Sequence, residues 1–161
     1  MNSLVEFVNV NKENISEFYK IQKICFKDLY NKYNDDGNPY KESLEGLINK
    51  LSRNNNYLYL IYLRNELVGG VRIVTDNRIG RIAPMFVLPK YQNKGIGKQI
   101  LLKIESLYNS IEHWELDTIK EENKLVKFYK SLGYLETGKE KFINENMNIV
   151  YLEKINNKKS S

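Results

Sequence analysis

Val87-Leu88-Pro89-Lys90-Tyr91-Gln92-Asn93-Lys94-Gly95-Ile96-Gly97-Lys98 is the stretch whose reading decides the fold. It follows an extended run, residues 79–88, and leads into Ile96, Ile100, Ile104 and Leu107, which share one face at helical spacing. It therefore joins a strand to a helix. Two glycines at a helix start let the backbone approach a ligand closely and leave the first-turn N–H groups free to donate. Those amides, with the positive end of the helix dipole, make a site for phosphate oxygens, to which Lys94 and Lys98 add charge. Two other phosphate motifs are excluded by spelling. Gly95-Ile96-Gly97-Lys98-Gln99-Ile100 lacks the third glycine of a dinucleotide fingerprint, and a P-loop needs a glycine where Gln92 stands and Ser or Thr where Gln99 stands. An ordinary flexible turn is the competing reading, and local spacing alone does not separate the two.

Upstream, residues 4–10 alternate as a strand, and Ile15, Phe18, Tyr19, Cys25, Phe26 and Leu29 follow an amphipathic helix. Residues 31–39, with Asn, Asp, Gly and Pro, form a loop. Leu44, Leu47, Ile48 and Leu51 then predict a second helix over residues 41–53. The runs 57–63, 67–75 and 79–88, separated by Arg64-Asn65-Glu66 and Asp76-Asn77-Arg78, predict an antiparallel meander. Downstream of the loop come a helix (95–108), a short strand (113–118), a helix (123–132) marked by Leu125, Phe128, Tyr129 and Leu132, and two last strands from Tyr134 and from Met147. The order β-α-α-β-β-β-α-β-α-β-β implies an α/β (mixed α+β) fold: one domain over residues 1–155, with a mostly antiparallel mixed sheet of about seven strands flanked by four helices. Residues 156–161 read as a polar tail.

Composition narrows the function. At 161 residues with 42% apolar content, the chain can bury one sizeable core. No apolar run approaches the roughly 20 residues a membrane span needs, and the start Met1-Asn2-Ser3-Leu4-Val5-Glu6-Phe7 has neither the basic nor the apolar part of an export signal. A cytoplasmic protein is expected. The lone Cys25 fits, since one cysteine builds neither a disulfide framework nor a metal cluster, and His113 has no second histidine to share a metal. The net charge of +5 comes mainly from scattered lysines. These serve base readout poorly, since that favours arginine, and suit loose phosphate attraction of an anionic cofactor as well as of nucleic acid. With the lysines scattered and no recognition motif in the chain, no nucleic-acid partner is expected.

Gln92-x-x-Gly95-x-Gly97 after a strand ending Phe86-Val87-Leu88-Pro89 resembles the acetyl-CoA loop of the GNAT N-acetyltransferase family. Asn123-x-x-x-x-Phe128-Tyr129-x-x-x-Gly133-Tyr134 resembles that family's second motif, and the element order matches its fold over essentially the whole chain. The resemblance implies an acetyl-CoA-dependent N-acetyltransferase, a transferase moving acetyl to a primary amine by direct transfer in a ternary complex. The acceptor would be a small molecule or peptide, and the enzyme a monomer or homodimer. It further implies that Phe86, Val87 and Leu88 pair with the pantetheine arm of coenzyme A. The backbone amides of Asn93, Lys94, Gly95, Ile96, Gly97 and Lys98 would hold the pyrophosphate, with Gln92, Asn123 and Tyr129 also facing the cofactor. Relatives bulge the fourth strand to aim an amide at the thioester carbonyl. Pro84 gives that feature its own physical basis, because a proline inside a strand cannot donate to the ladder.

Tyr129 matches the family position of the acid that protonates the leaving thiolate, and Asn123 is the second catalytic candidate. Read from the residues alone, Tyr129 lies on an apolar stripe and is core, and Asn123 is a helix N-cap. No carboxylate stands on the fourth strand, leaving Asp117, Glu121 or a water chain as routes for the amine proton. Tyr30, Tyr33, Asp35, Asp36 and Tyr40, with Asp117, are the candidates for the acceptor side, against the reading of residues 35–39 as a plain turn. A catalytically weak acyl-CoA-binding module, acting as a sensor, is the alternative function.

Overall fold

A computed structural model describes residues 4–156 of the chain. Seven strands form one sheet in the order β1-β2-β3-β4-β5-β7-β6. The elements are β1 (Glu6–Asn9), α1 (Ile15–Tyr33), α2 (Leu44–Ser52), β2 (Asn56–Leu63), β3 (Glu66–Asp76), β4 (Ile79–Val87), α3 (Ile96–Leu107), β5 (His113–Ile119), α4 (Asn123–Ser131), β6 (Leu135–Asn144) and β7 (Met147–Ile155). All neighbours run antiparallel except β4 and β5. The expected class and element order therefore hold. Of the expected tail, residues 157–161 lie outside the described residues, while Asn156 donates its N–H to the Glu112 carbonyl (2.7 Å).

Local chemistry accounts for the boundaries. Asn34 takes a left-handed conformation (φ 53°) and ends α1 four residues beyond the last stripe position, Leu29. Ser43 caps α2, its hydroxyl accepting from Gly46 N–H at 3.0 Å. That cap starts the helix at Leu44, the first residue of its apolar stripe and later than the expected residue 41, because residues 39–41 form a separate 3-10 turn on Pro39. Arg64 and Asn65 both have positive φ, the backbone of a tight two-residue hairpin turn between β2 and β3.

Two apolar layers sandwich the sheet. Phe18 and Ile21 of α1 and Leu47 of α2 pack on Leu58, Leu60 and Phe86. On the other face Ile96, Ile100, Leu101 and Ile104 of α3 and Tyr129 of α4 pack on Val71, Ile73, Trp114 and Leu116. Burying each such side chain contributes about 1.5–3 kcal/mol. A small third cluster, Tyr33, Ile119 and Met147, joins the end of α1 to β5 and β7. Cys25 packs against the first layer, and burial pushes its thiol up to about 12, which disfavours the nucleophilic thiolate.

Candidate active site

The site grows from a short ladder. β4 and β5 pair only at Ile79–His113, Gly80–Trp114 and Arg81–Glu115. Beyond Arg81 the two strands part, and the outer edge of β4 has no strand partner among the described residues. Arg81 Nη2 and Asp117 Oδ2 form an ion pair (2.7 Å) just past the fork.

A bulge decides which backbone groups line that free edge. Val71 pairs with Met85 but Ile73 pairs with Ile82, so β4 carries one extra residue opposite Arg72, at Ala83 and Pro84. The expected bulge is therefore present at Pro84. Past it, Leu88 N–H bonds to the Val68 carbonyl (2.7 Å). Alternation of an antiparallel ladder then gives the next bonded pair to Phe86 and Gly70 and turns the amides and carbonyls of Met85 and Val87 away from β3, into the gap. Phe86 itself spends its backbone on β3 and its ring on Phe18 and Phe26. Of the stretch expected to face pantetheine, Val87 is thus the residue with backbone turned outward. Met85, which the sequence did not single out, is the other.

The loop closes over the end of this edge. Gln92 Nε2 donates to the Val87 carbonyl (3.0 Å), bracing the turn from within. Asn93 (φ 62°) and Gly95 (φ 81°) are left-handed, and no side chain caps α3. The first helical bond comes from Gln99 N–H to the Gly95 carbonyl, so the amides of Ile96, Gly97 and Lys98 are left without an intrahelical acceptor. A Cβ at Gly95 would meet nothing within 4 Å, so this glycine opens onto free space. Gly97 differs: its Cβ would lie 3.1 Å from the Phe128 ring, so it serves the packing of α3 on α4. Lys94 and Lys98 are exposed beside the turn, while the Ile96 side chain is buried.

Tyr129 is buried on α4, its ring edge-on to Phe128 and Tyr134, and no described residue hydrogen-bonds its hydroxyl. Burial pushes its phenol up to about 12, and the nearby Asp117 charge adds to that. The cap of α4 falls on Glu122, not Asn123: both Leu125 and Val126 N–H bond to the Glu122 carbonyl. Asn123 is therefore the first helical residue, exposed, with its amide free among the described residues.

The acceptor-side candidates separate. Tyr33 is buried, and its hydroxyl donates to Glu122, which also pairs with Lys32 (2.7 Å). That tyrosine fastens α1 to the start of α4. Tyr30 stacks on Tyr40 at 5.1 Å, and Asp35 accepts from Gly37 N–H in a local turn. Glu121 is occupied by both amides of Asn148 (2.8 and 2.9 Å). His113 lies between the carboxylates of Glu115 and Glu153 (3.4 and 3.3 Å), and no group of described residues is arranged to hold a metal.

A parallel pair of strands that parts beside an uncapped helix start matches a known family: residues 27–155 fit the model described as an acetyltransferase (GNAT) domain. The chain belongs to the GNAT acetyltransferase family. The fold is shared with the PaiA N-acetyltransferase of Thermoplasma acidophilum, solved in complex with coenzyme A. That match has a TM-score of 0.77 at 17% identity, over 94% of this chain and 99% of that one. A spermidine N-acetyltransferase of Vibrio cholerae, solved with coenzyme A and spermine, aligns at TM-score 0.74 and 14% identity over 94% and 95%. In sequence, the GNAT chain is similar to a probable glucosamine 6-phosphate N-acetyltransferase of Drosophila melanogaster, 28% identical over 79 residues. That match takes in 45% of this chain and 36% of the relative, so this chain spans little more than a third of that protein's length. No described helix is long and apolar enough to cross a membrane.

Proposed function

We propose that this GNAT protein is a cytoplasmic N-acetyltransferase that binds acetyl-CoA along the free edge of β4 and transfers acetyl directly to a primary amine in a ternary complex, its domain occupying residues 1–155. The observation that carries this reading is the outward-turned backbone of Met85 and Val87, continuous with the unbonded amides of Ile96, Gly97 and Lys98. The residues fit coenzyme A by chemistry. The diphosphate needs convergent N–H donors and positive charge, which α3 and its lysines supply. The pantetheine arm carries amides that pair as a strand would, and β4 has an edge to pair with. Bound there, acetyl-CoA supplies an activated acyl group on a thiol leaving group.

The chain's own residues then divide the work. The Met85 N–H, fixed by the bulge, donates toward a carbonyl oxygen that gains charge as the amine attacks. Tyr129, protonated throughout the neutral range, gives its proton to the departing sulfur. Asn123, exposed at the start of α4, would bond pantetheine or an ordered water. The amine proton leaves through water, with Asp117 held in its ion pair and no carboxylate on β4. Acceptors of this fold differ widely, so the acceptor class rests on the site's own charge: the half-exposed Asp117 carboxylate, shared with Arg81 just past the fork, is suited to a cationic amine.

The test is thiol release from acetyl-CoA against a panel of polyamines, amino sugars, amino acids and peptides. Acceleration by any of them supports the reading. Tight acetyl-CoA binding with no acceleration by any amine would leave the weak acyl-CoA-binding module in its place.

A further inference from the structure

We propose that Arg72 is a positioning residue that locks the β4 bulge and so sets the direction of the Met85 amide; this rests on the acetyl-CoA reading above. Arg72 stands on β3 opposite the extra residue of β4. Its Nε donates to the Ala83 carbonyl (2.7 Å), and its Nη1 donates to Asn56 Oδ1 (2.7 Å) at the start of β2. One planar group therefore ties β2 to β4 across β3, at the residue just before Pro84, which has no N–H to offer the ladder.

The register shows what this clamp controls. If the pairing of Ile73 with Ile82 continued without a bulge, Met85 would fall opposite Gly70. Gly70 turns its bonding groups toward β4, so Met85 would spend its amide and carbonyl inside the sheet. The extra residue moves Phe86 into that place and turns Met85 outward. Holding the bulge is thus the same act as aiming the amide. Burial lowers the pKa of the guanidinium, the charges of Arg81 and Arg53 act the same way and Glu42 opposes them, yet arginine stays charged at any working pH. Lysine cannot reproduce the clamp, because one ammonium does not reach both acceptors as a rigid fork does.

The test reads the amide directly and needs no acceptor. Acetyl-CoA labelled with carbon-13 at the thioester carbonyl is bound to the wild type, to Arg72→Lys and to Asn56→Ala, with folding checked by thermal melt and coenzyme A affinity measured separately. A hydrogen bond to the carbonyl moves its resonance downfield. The wild type is expected to show that shift. Arg72→Lys should lose most of it while binding coenzyme A within about three-fold of wild type, less than the worth of one hydrogen bond. Asn56→Ala, which keeps the bond to Ala83, should lose only part, and it carries the test if the lysine variant fails to fold. An unchanged shift in the variants overturns the proposal, as does a loss of coenzyme A affinity that matches the loss of shift, since Arg72 would then support the site as a whole. A wild type that binds no acetyl-CoA overturns the site reading as well, and is recognised without any variant.

Discussion

Arg81 of β4 and Asp117 of β5 are joined by a 2.7 Å ion pair at the point where their strands stop pairing, and the same Asp117 charge bears on the Tyr129 phenol. The pair is half exposed, at 47% and 31% of the side chains, so its own contribution to stability is about 0–1 kcal/mol. Its importance is electrostatic and local. An anionic neighbour disfavours phenolate and holds the proton on Tyr129. Asp117→Asn should therefore lower the Tyr129 pKa from about 12, and the alkaline limb of kcat should move to lower pH with little change in Tm. A limb that stays in place, or moves upward, contradicts the assignment of Tyr129 as the acid.

Tyr129→Phe removes the proton donor and keeps the ring that packs on Phe128 and Tyr134. We expect kcat to fall by about 10²-fold or more, the usual range for a general acid, while the rise in Tm with coenzyme A is retained. Full activity in this variant would return Tyr129 to the core role its apolar stripe suggests.

For Tyr33, structure and acceptor binding make opposite forecasts. The hydroxyl bonds a carboxylate, and such a bond contributes about 1.5–3 kcal/mol. Tyr33→Phe should lower stability by about that amount in denaturant titration, with the acceptor KM unchanged. A raised KM at unchanged stability would instead place this residue in the acceptor site.

Gly69→Ala probes the β3–β4 contact. A Cβ there would lie 2.2 Å from the Phe86 carbonyl oxygen, which is backbone and cannot swing aside. We expect destabilisation of about 3 kcal/mol, the upper end for overpacking, visible as a fall in Tm. A tolerated alanine would mean that β4 can shift away from β3.

The element order was legible because periodicity and turn residues agree along most of the chain: the helix of Ile96 and Ile100 and the hairpin at Arg64-Asn65 fall where their patterns place them. Pro84 announced the bulge for a physical reason that needs no structure. Which backbone groups face outward was not legible, because one extra residue inverts the parity of everything after it, and only the pairing of Leu88 with Val68 fixes that parity. The same limit hid Arg72, whose partners Ala83 and Asn56 are brought together by strand register alone. Asn123 illustrates a smaller gap: its residue type suits a cap, but the chain starts α4 one residue earlier and leaves it free.

The most direct test of the central claim is a thermal melt of the wild type and of Gly95→Val, each with and without saturating acetyl-CoA. A ligand that binds only the folded state adds about 2.7 kcal/mol at 100 times its Kd. Gly95 is left-handed and opens onto free space, so a valine there strains the turn and projects where the diphosphate is to lie. The account predicts a clear rise in Tm for the wild type and none for the folded variant. No rise in the wild type, in a sample free of bound coenzyme A, would contradict the claim that β4 and α3 form an acetyl-CoA site.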